Sequence, residues 1–322
     1  MTKASLTRAV AVSGGVEEDL QPVPGQATIL VAGLLIWAAA FVLLPAPMAA
    51  RILLLAPLVV VPRLLSLLPG RPWIRRLAGW PTLLAALPLV IAFGLPAGAL
   101  AGALGLPWLA LALTCALAAV MHGLPNLPSI LRPRQLPDLG IEFSLGFLAV
   151  AATFTLLDRF GVETSFSSAI VLLTATHFHF AGFGLLGLAS LLARSRPWLR
   201  VCLAGLVIGI PITAIGFVLV SSAINALGAL FVGLSGIGVA IALVTPRSQG
   251  MERWSSRFAG TALLIGMPMG IAWSLAILTG QTFLDLETMI RTHGALNATA
   301  VLLGVVTFRA RYENARTNFP LS

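Results

Sequence analysis

The sequence predicts an all-α protein, a polytopic transmembrane helical bundle of about ten spans with both termini in the cytoplasm. Three observations predict it. Hydrophobic residues make up 58% of the 322 positions, charged residues only 10%, and the mean hydropathy is +0.98. A soluble domain carries about 25% charged residues, so this chain has too little polar surface to face water. Its apolar residues fall into runs of span length, and its bases fall mostly in every second connector between those runs.

The runs come first. A bilayer core of about 30 Å takes about 20 residues at 1.5 Å each. Cutting the sequence at its charged and Pro/Gly-rich breaks gives runs near 27–46, 52–69, 80–98, 104–122, 141–158, 167–193, 198–220, 223–245, 257–279 and 290–308. The weakest cut divides 80–122, where Gly94, Pro96, Gly98, Gly102, Gly105 and Pro107 interrupt the hydrophobicity and predict a tight turn.

The bases supply an independent test. Alternating the connectors between two faces puts sixteen of the 20 Lys and Arg residues on the face of the N-terminus. The other face has only Arg51, Arg159 and Arg291, and Arg63 falls inside the second run. One missed or invented span would swap every later connector, so this asymmetry supports ten runs and cytoplasmic termini. Trp73, Trp80, Trp198 and Trp254 stand beside the same basic connectors, as interfacial anchors do.

The formal charge of +9 is thereby read as topology, with membrane lipids as the partner and no nucleic acid. The two cysteines, Cys115 and Cys202, lie in apolar runs without metal-type spacing. Residues 1–26, with Glu17-Glu18-Asp19 and no apolar core, read as a disordered cytoplasmic tail, followed by a transmembrane domain over 27–309 and a cytoplasmic tail over 310–322.

Ionisable groups at membrane depth cost roughly 2.5–3.5 kcal/mol on insertion scales, so each needs a partner or a purpose. Arg63, His122, Glu142, His177, His179 and His293 qualify. Arg63 is expected to snorkel to the headgroups, and His122 to pair with Glu142 across their connector, with Asp138 joining them. The richest stretch is Thr174-Ala175-Thr176-His177-Phe178-His179-Phe180 in the sixth run. Two positions turn a helix by about 200°, so His177 and His179 face different neighbours and cannot chelate one metal together. In the tenth run His293 and Asn297 are four apart and share a face, at a depth that lets them meet His177. Glu287 and Asp285, just outside that run, are the natural acids to act on His293.

Thr176-His177-Phe178-His179-Phe180-Ala181-Gly182-Phe183, the Met289 to Ala298 stretch with Thr292-His293-Gly294 and Asn297, and the early Pro57-Leu58-Val59-Val60-Val61-Pro62 segment together resemble the YndJ family of bacterial membrane proteins over about residues 50–308. That resemblance implies a multi-pass protein of the bacterial cytoplasmic (inner) membrane and marks which histidines matter. The transporter-like label of the family supplies no mechanism. His177-Phe178-His179 is also similar to the haem-ligating helix of cytochrome oxidases, which implies haem or metal through His177 or His179 as an alternative. The copper-site histidine pair and the H-P-E-V motif of those enzymes are absent.

No nucleotide loop, zinc motif, carboxylate dyad within a run or nucleophile elbow is present. The leading expectation is a cofactor-independent intramembrane site of the isomerase or cyclase kind, with His177, His179, His293 and Asn297 as its catalytic residues. Thr174, Thr176, Phe178, Phe180 and Glu287 are expected to bind a lipophilic or small-molecule substrate. Proton-coupled secondary transport of a small solute is the alternative.

Overall fold

A computed structural model describes residues 23–69, 71–130, 132–246, 249–281 and 283–317. Most of the expected N-terminal tail, residues 1–22, and residues 318–322 of the expected C-terminal one lie outside the described residues. The described chain is helical from end to end and contains no strand. In chain order the helices are α1 (Gln26–Leu43), α2 (Met48–Ser66), the short α3 (Pro72–Leu77), α4 (Trp80–Phe93), α5 (Ala99–Ile130), α6 (Leu136–Phe160), α7 (Ser168–Ser195), α8 (Leu199–Val218), α9 (Ser222–Val244), α10 (Gly250–Leu278) and α11 (286–317). All but α3 and α4 are long and apolar enough to cross a membrane, nine among the described residues.

The helix ends follow from the residues placed there. Ser167, Ser221 and Asp285 accept a hydrogen bond from the backbone N–H three residues on, each filling one donor that a first helical turn leaves open. Helix α6 stops at Gly161, whose φ of 67° only a residue without Cβ adopts cheaply; Gly161 N–H reaches Asp158 O at 3.1 Å and Val162 N–H reaches Leu157 O at 3.0 Å.

The third expected run is a correction. It is helical only over Trp80–Phe93, 14 residues and about 21 Å, short of a full hydrocarbon core because the Gly94-Leu95-Pro96 break ends it early. It still joins the two ends of the bundle. At its start, Ala78 O accepts from Gln26 Nε2 at 2.8 Å, beside the end of α2. At its finish, Ala92 O and Leu95 O accept from Arg159 Nη1 at 3.3 and 3.4 Å, at the end of α6.

One end of the bundle is the basic end. Arg63 does not snorkel as expected: it is 2% exposed, donates from Nη1 to Gln26 Oε1 at 2.8 Å and from Nη2 to Gln26 O, and so ties α2 to the first turn of α1. The reason is that Gln26 lies at the same level and offers two acceptors, which a buried guanidinium needs more than it needs lipid headgroups. His122 pairs with Glu142 as expected, Nδ1 to Oε1 at 2.7 Å, and Arg71 from the α2–α3 connector donates to the same oxygen. Asp138 takes a different partner, Arg194 of α7. Arg196 closes the end of α9 by donating to Ala242 O and Thr245 O.

Among the nine span-length helices described, α2 is the most enclosed, 89% buried where α1 is 22% buried. Three helices depart from α geometry over one short stretch each: Ala56–Val60 in α2, Phe178–Leu185 in α7 and Ile290–Gly294 in α11 wind as π-helix. The first two pack on each other, both pack on α11, and the start of α2 packs on the third. All three widened turns therefore surround one region, at the positions singled out above for their histidines and their Pro57–Pro62 run. Widened turns of this kind are rare and cluster at functional sites.

Candidate functional site

Helices α7 and α11 bring His177 and His293 together, 6.5 Å apart between ring centroids and tilted by 31°. The start of α2, Met48–Leu53, packs against both histidine-bearing segments and forms the third wall. His177 is exposed at the mouth of this notch, and His293 and Asn297 are half-buried behind it.

Each ring is fixed by its Nδ1. His177 Nδ1 lies 2.8 Å from Leu173 O on its own helix, and His293 Nδ1 lies 2.8 Å from Gly266 O on α10. A carbonyl oxygen can only accept, so each neutral ring carries its hydrogen on Nδ1 and presents the lone pair of Nε2. Asn297 Nδ2 stands 3.2 Å from His293 Nε2 and donates to it. The other amide atom, Asn297 Oδ1, is buried without a hydrogen-bond partner.

Two glycines make this seating possible. A Cβ on Gly266 would collide with Asn297 Oδ1, and a Cβ on Gly270 would lie 2.7 Å from His293 Cε1. Gly266 and Gly270 are one turn apart on α10, opposite His293 and Asn297, one turn apart on α11, so a polar pair fits into a small-residue notch. These glycines were not anticipated from the sequence. Their signal is the Gly266-Met267-Pro268-Met269-Gly270 spacing itself, a small-x-x-x-small pattern matching the four-residue spacing of the His–Asn pair.

His179 does not join them. It faces α5, fully buried, with Trp108 Nε1 donating to its Nε2 at 3.2 Å and the two rings stacked 5.9 Å apart. Its Nδ1 donates to Ala175 O at 2.8 Å. Both ring nitrogens are engaged in hydrogen bonds, so a haem iron or another metal at His179 would have to displace Trp108 from Nε2. Among the described residues no group of three or more His, Cys, Asp or Glu is placed to hold a metal ion. Trp108 was missed as its partner because nothing in the fourth run distinguishes a hydrogen-bonding tryptophan from an apolar one. Trp108→Phe is expected to leave a buried acceptor unmet and to cost about 1–3 kcal/mol, read as a lower unfolding midpoint in detergent, with the His177–His293 pair unchanged.

The residues expected to bind substrate are mostly engaged elsewhere. Thr174 and Thr176 donate their hydroxyls back to Ile170 O and Leu172 O at 2.8 and 2.9 Å. Phe178 packs on Phe147 of α6 at 5.4 Å, and Phe180 is buried in the core. Glu287 pairs with Arg291 one turn on, at 2.8 Å and largely in solvent, rather than with His293. Asp285 is held below the usual carboxylate range by the backbone N–H of Thr288, and then by the Thr288 hydroxyl, so it stays an anion spent on capping α11. Neither acid is bonded to the histidine it was expected to act on, because helix-start geometry offers both a closer partner.

The comparisons bear on the same stretch of chain. A family model described as YndJ-like protein matches residues 51–301, which takes in the start of α2, His177, His179, His293 and Asn297. No curated protein and no solved structure matches the chain.

Proposed function

The chain belongs to the YndJ-like family, and from that premise together with the facing imidazoles we propose a membrane protein that performs acid–base chemistry on a lipophilic substrate. The single observation behind the proposal is the pair itself: two imidazoles at 6.5 Å, each anchored through Nδ1, with His293 held also by the amide of Asn297. With one proton added, one ring is an acid and the other a base, which is what isomerisation, cyclisation or ring opening requires. One ring gives its Nε2 proton to a substrate atom, the other takes a proton from a second atom, and neither step consumes a cofactor. Imidazole suits the task because one ring can both give and take a proton. Asn297 is a positioning residue here, holding His293 through Nε2 until substrate displaces it. The notch belongs, on the charge asymmetry, to the extracytoplasmic half of a bacterial cytoplasmic membrane.

The test uses purified protein in detergent with a lipid extract of bacterial membranes, followed by mass spectrometry. Wild type is expected to convert some component into a product of equal mass and altered retention, and His177→Ala and His293→Ala are each expected to lose that conversion by at least 100-fold, the scale of general acid–base catalysis. Conversion retained in both variants, or a lipid profile that wild type leaves unaltered, overturns the proposal.

A second reading is favoured by one observation, the paired His122 and Glu142 at the opposite end of the bundle. Proton-coupled transport of a small solute would use both ends. It requires uptake into proteoliposomes that follows an imposed pH gradient, whereas catalysis persists in detergent without one.

A further inference from the structure

The polar occupant of the notch can be read from its hydrogen-bonding inventory. His177 Nε2, His293 Nε2 and Asn297 Oδ1 are all acceptors, and Asn297 Nδ2 is already directed at His293; of the nearby guanidinium groups, Arg51 donates to Ala46 O and Arg291 to Glu287. The nearest carboxylates are committed to Arg291 and Thr288. An anion brought between the two rings meets lone pairs on three sides, so carboxylates and phosphates are disfavoured there. What is missing is a donor.

Two species can satisfy several acceptors at once, a metal cation and a protic oxygen. The rings stand 6.5 Å apart between centroids, and among the described residues no third His, Cys, Asp or Glu is placed with them to complete a metal site, whereas a single hydroxyl needs only the two rings.

We infer that the ligand of this site is a neutral lipophile bearing a hydroxyl group, whose oxygen lies between His177 and His293. This rests on the acid–base reading above and supplies its substrate class. The hydroxyl gives its hydrogen bond to one Nε2 and accepts one from the other, once that second ring has taken a proton from the medium. The bound complex then contains one acid, one base and the oxygen on which they act. His177 at the mouth and the phenyl ring of Phe178 beside it leave the rest of the molecule in contact with lipid.

The experiment is a nitrogen NMR titration of the full chain in nanodiscs, labelled with 15N-histidine, using 1-dodecanol, dodecyl methyl ether, lauric acid and zinc ion as separate probes. Dodecanol is expected to shift the Nε2 resonances of His177 and His293 together while His179 stays fixed. The ether and the acid are expected to shift neither. His293→Ala is expected to abolish the dodecanol response at His177, and a Trp108→Phe control to retain it. No response to dodecanol, an equal response to the ether, or tighter saturation by zinc that depends on both histidines overturns the inference. If dodecanol binds as described while lipid extracts are left unconverted, the ligand class stands and the catalytic reading falls. If conversion occurs and dodecanol neither binds nor competes, the reverse holds.

Discussion

Glu142→Ala lowers the stability of the bundle by about 3–5 kcal/mol, the usual cost of removing one partner from a buried ion pair. The carboxylate and the guanidinium of Arg71 are 9% and 4% exposed, so neither has water to turn to, and His122 loses its acceptor in the same step. Three segments come apart at that point: the α2–α3 connector, the end of α5 and the start of α6. Glu142→Gln, which keeps an acceptor oxygen, should cost less. Replacing Arg71 and Glu142 together by Met should cost less than Glu142→Ala alone, since no charge is then stranded. Unfolding midpoints in detergent for the single and double variants check this. Equal midpoints for Glu142→Ala and wild type would mean that the cluster is solvated and holds nothing.

Gly33→Ala is the second large effect. A Cβ at Gly33 collides with the backbone carbonyl of Leu58 in the widened turn of α2, and Val59 closes in behind it. A side-chain tip could swing aside, but a carbonyl in the most enclosed helix cannot, so α1 has to retreat. Its hold on the bundle includes Gly33 against Leu58, Gln26 with Arg63 and with Ala78 O, and Trp37 Nε1 donating to Arg51 O at 2.9 Å. Overpacking of this kind costs about 1–3 kcal/mol, and the retreat also takes Gln26 away from the buried Arg63. The expected outcome is an undocked α1, seen as a lower unfolding midpoint in detergent than wild type. An unchanged midpoint would show that α1 tolerates the extra methyl.

Much of this architecture is legible in the sequence because lipid imposes so few solutions. Run length and the placement of arginines give the helices and their alternation; the short α4 is the exception, since hydropathy continues through residues 94–98 while Gly94 and Pro96 end the helix. The meeting of His177 with His293 is legible from depth along two runs, and the separation of His177 from His179 from 100° per residue. Partner choice is not. Arg63 with Gln26, Trp108 with His179, Arg71 with Glu142 and Asp138 with Arg194 each depend on which helices are neighbours, and hydropathy carries no record of adjacency. Glu287 and Asp285 misled for the opposite reason: local helix-start bonds to Arg291 and Thr288 outcompete a more distant ring.

The widened turns of α2, α7 and α11 have a consequence for how this protein tolerates change. Each such turn contains a surplus residue, so deleting a single codon there would restore ordinary winding and swing one half of the helix by about 100° against the other. In α7 a deletion among Ala181, Gly182 and Gly184 would reset the phase between the histidine end and Leu186–Ser195, and in α11 a deletion at Ile290 would turn His293 out of its glycine notch. The aim of the imidazoles is thus written in residue number as much as in residue identity. Alanine scanning, which preserves number, would pass over it; a deletion scan across the three turns would not.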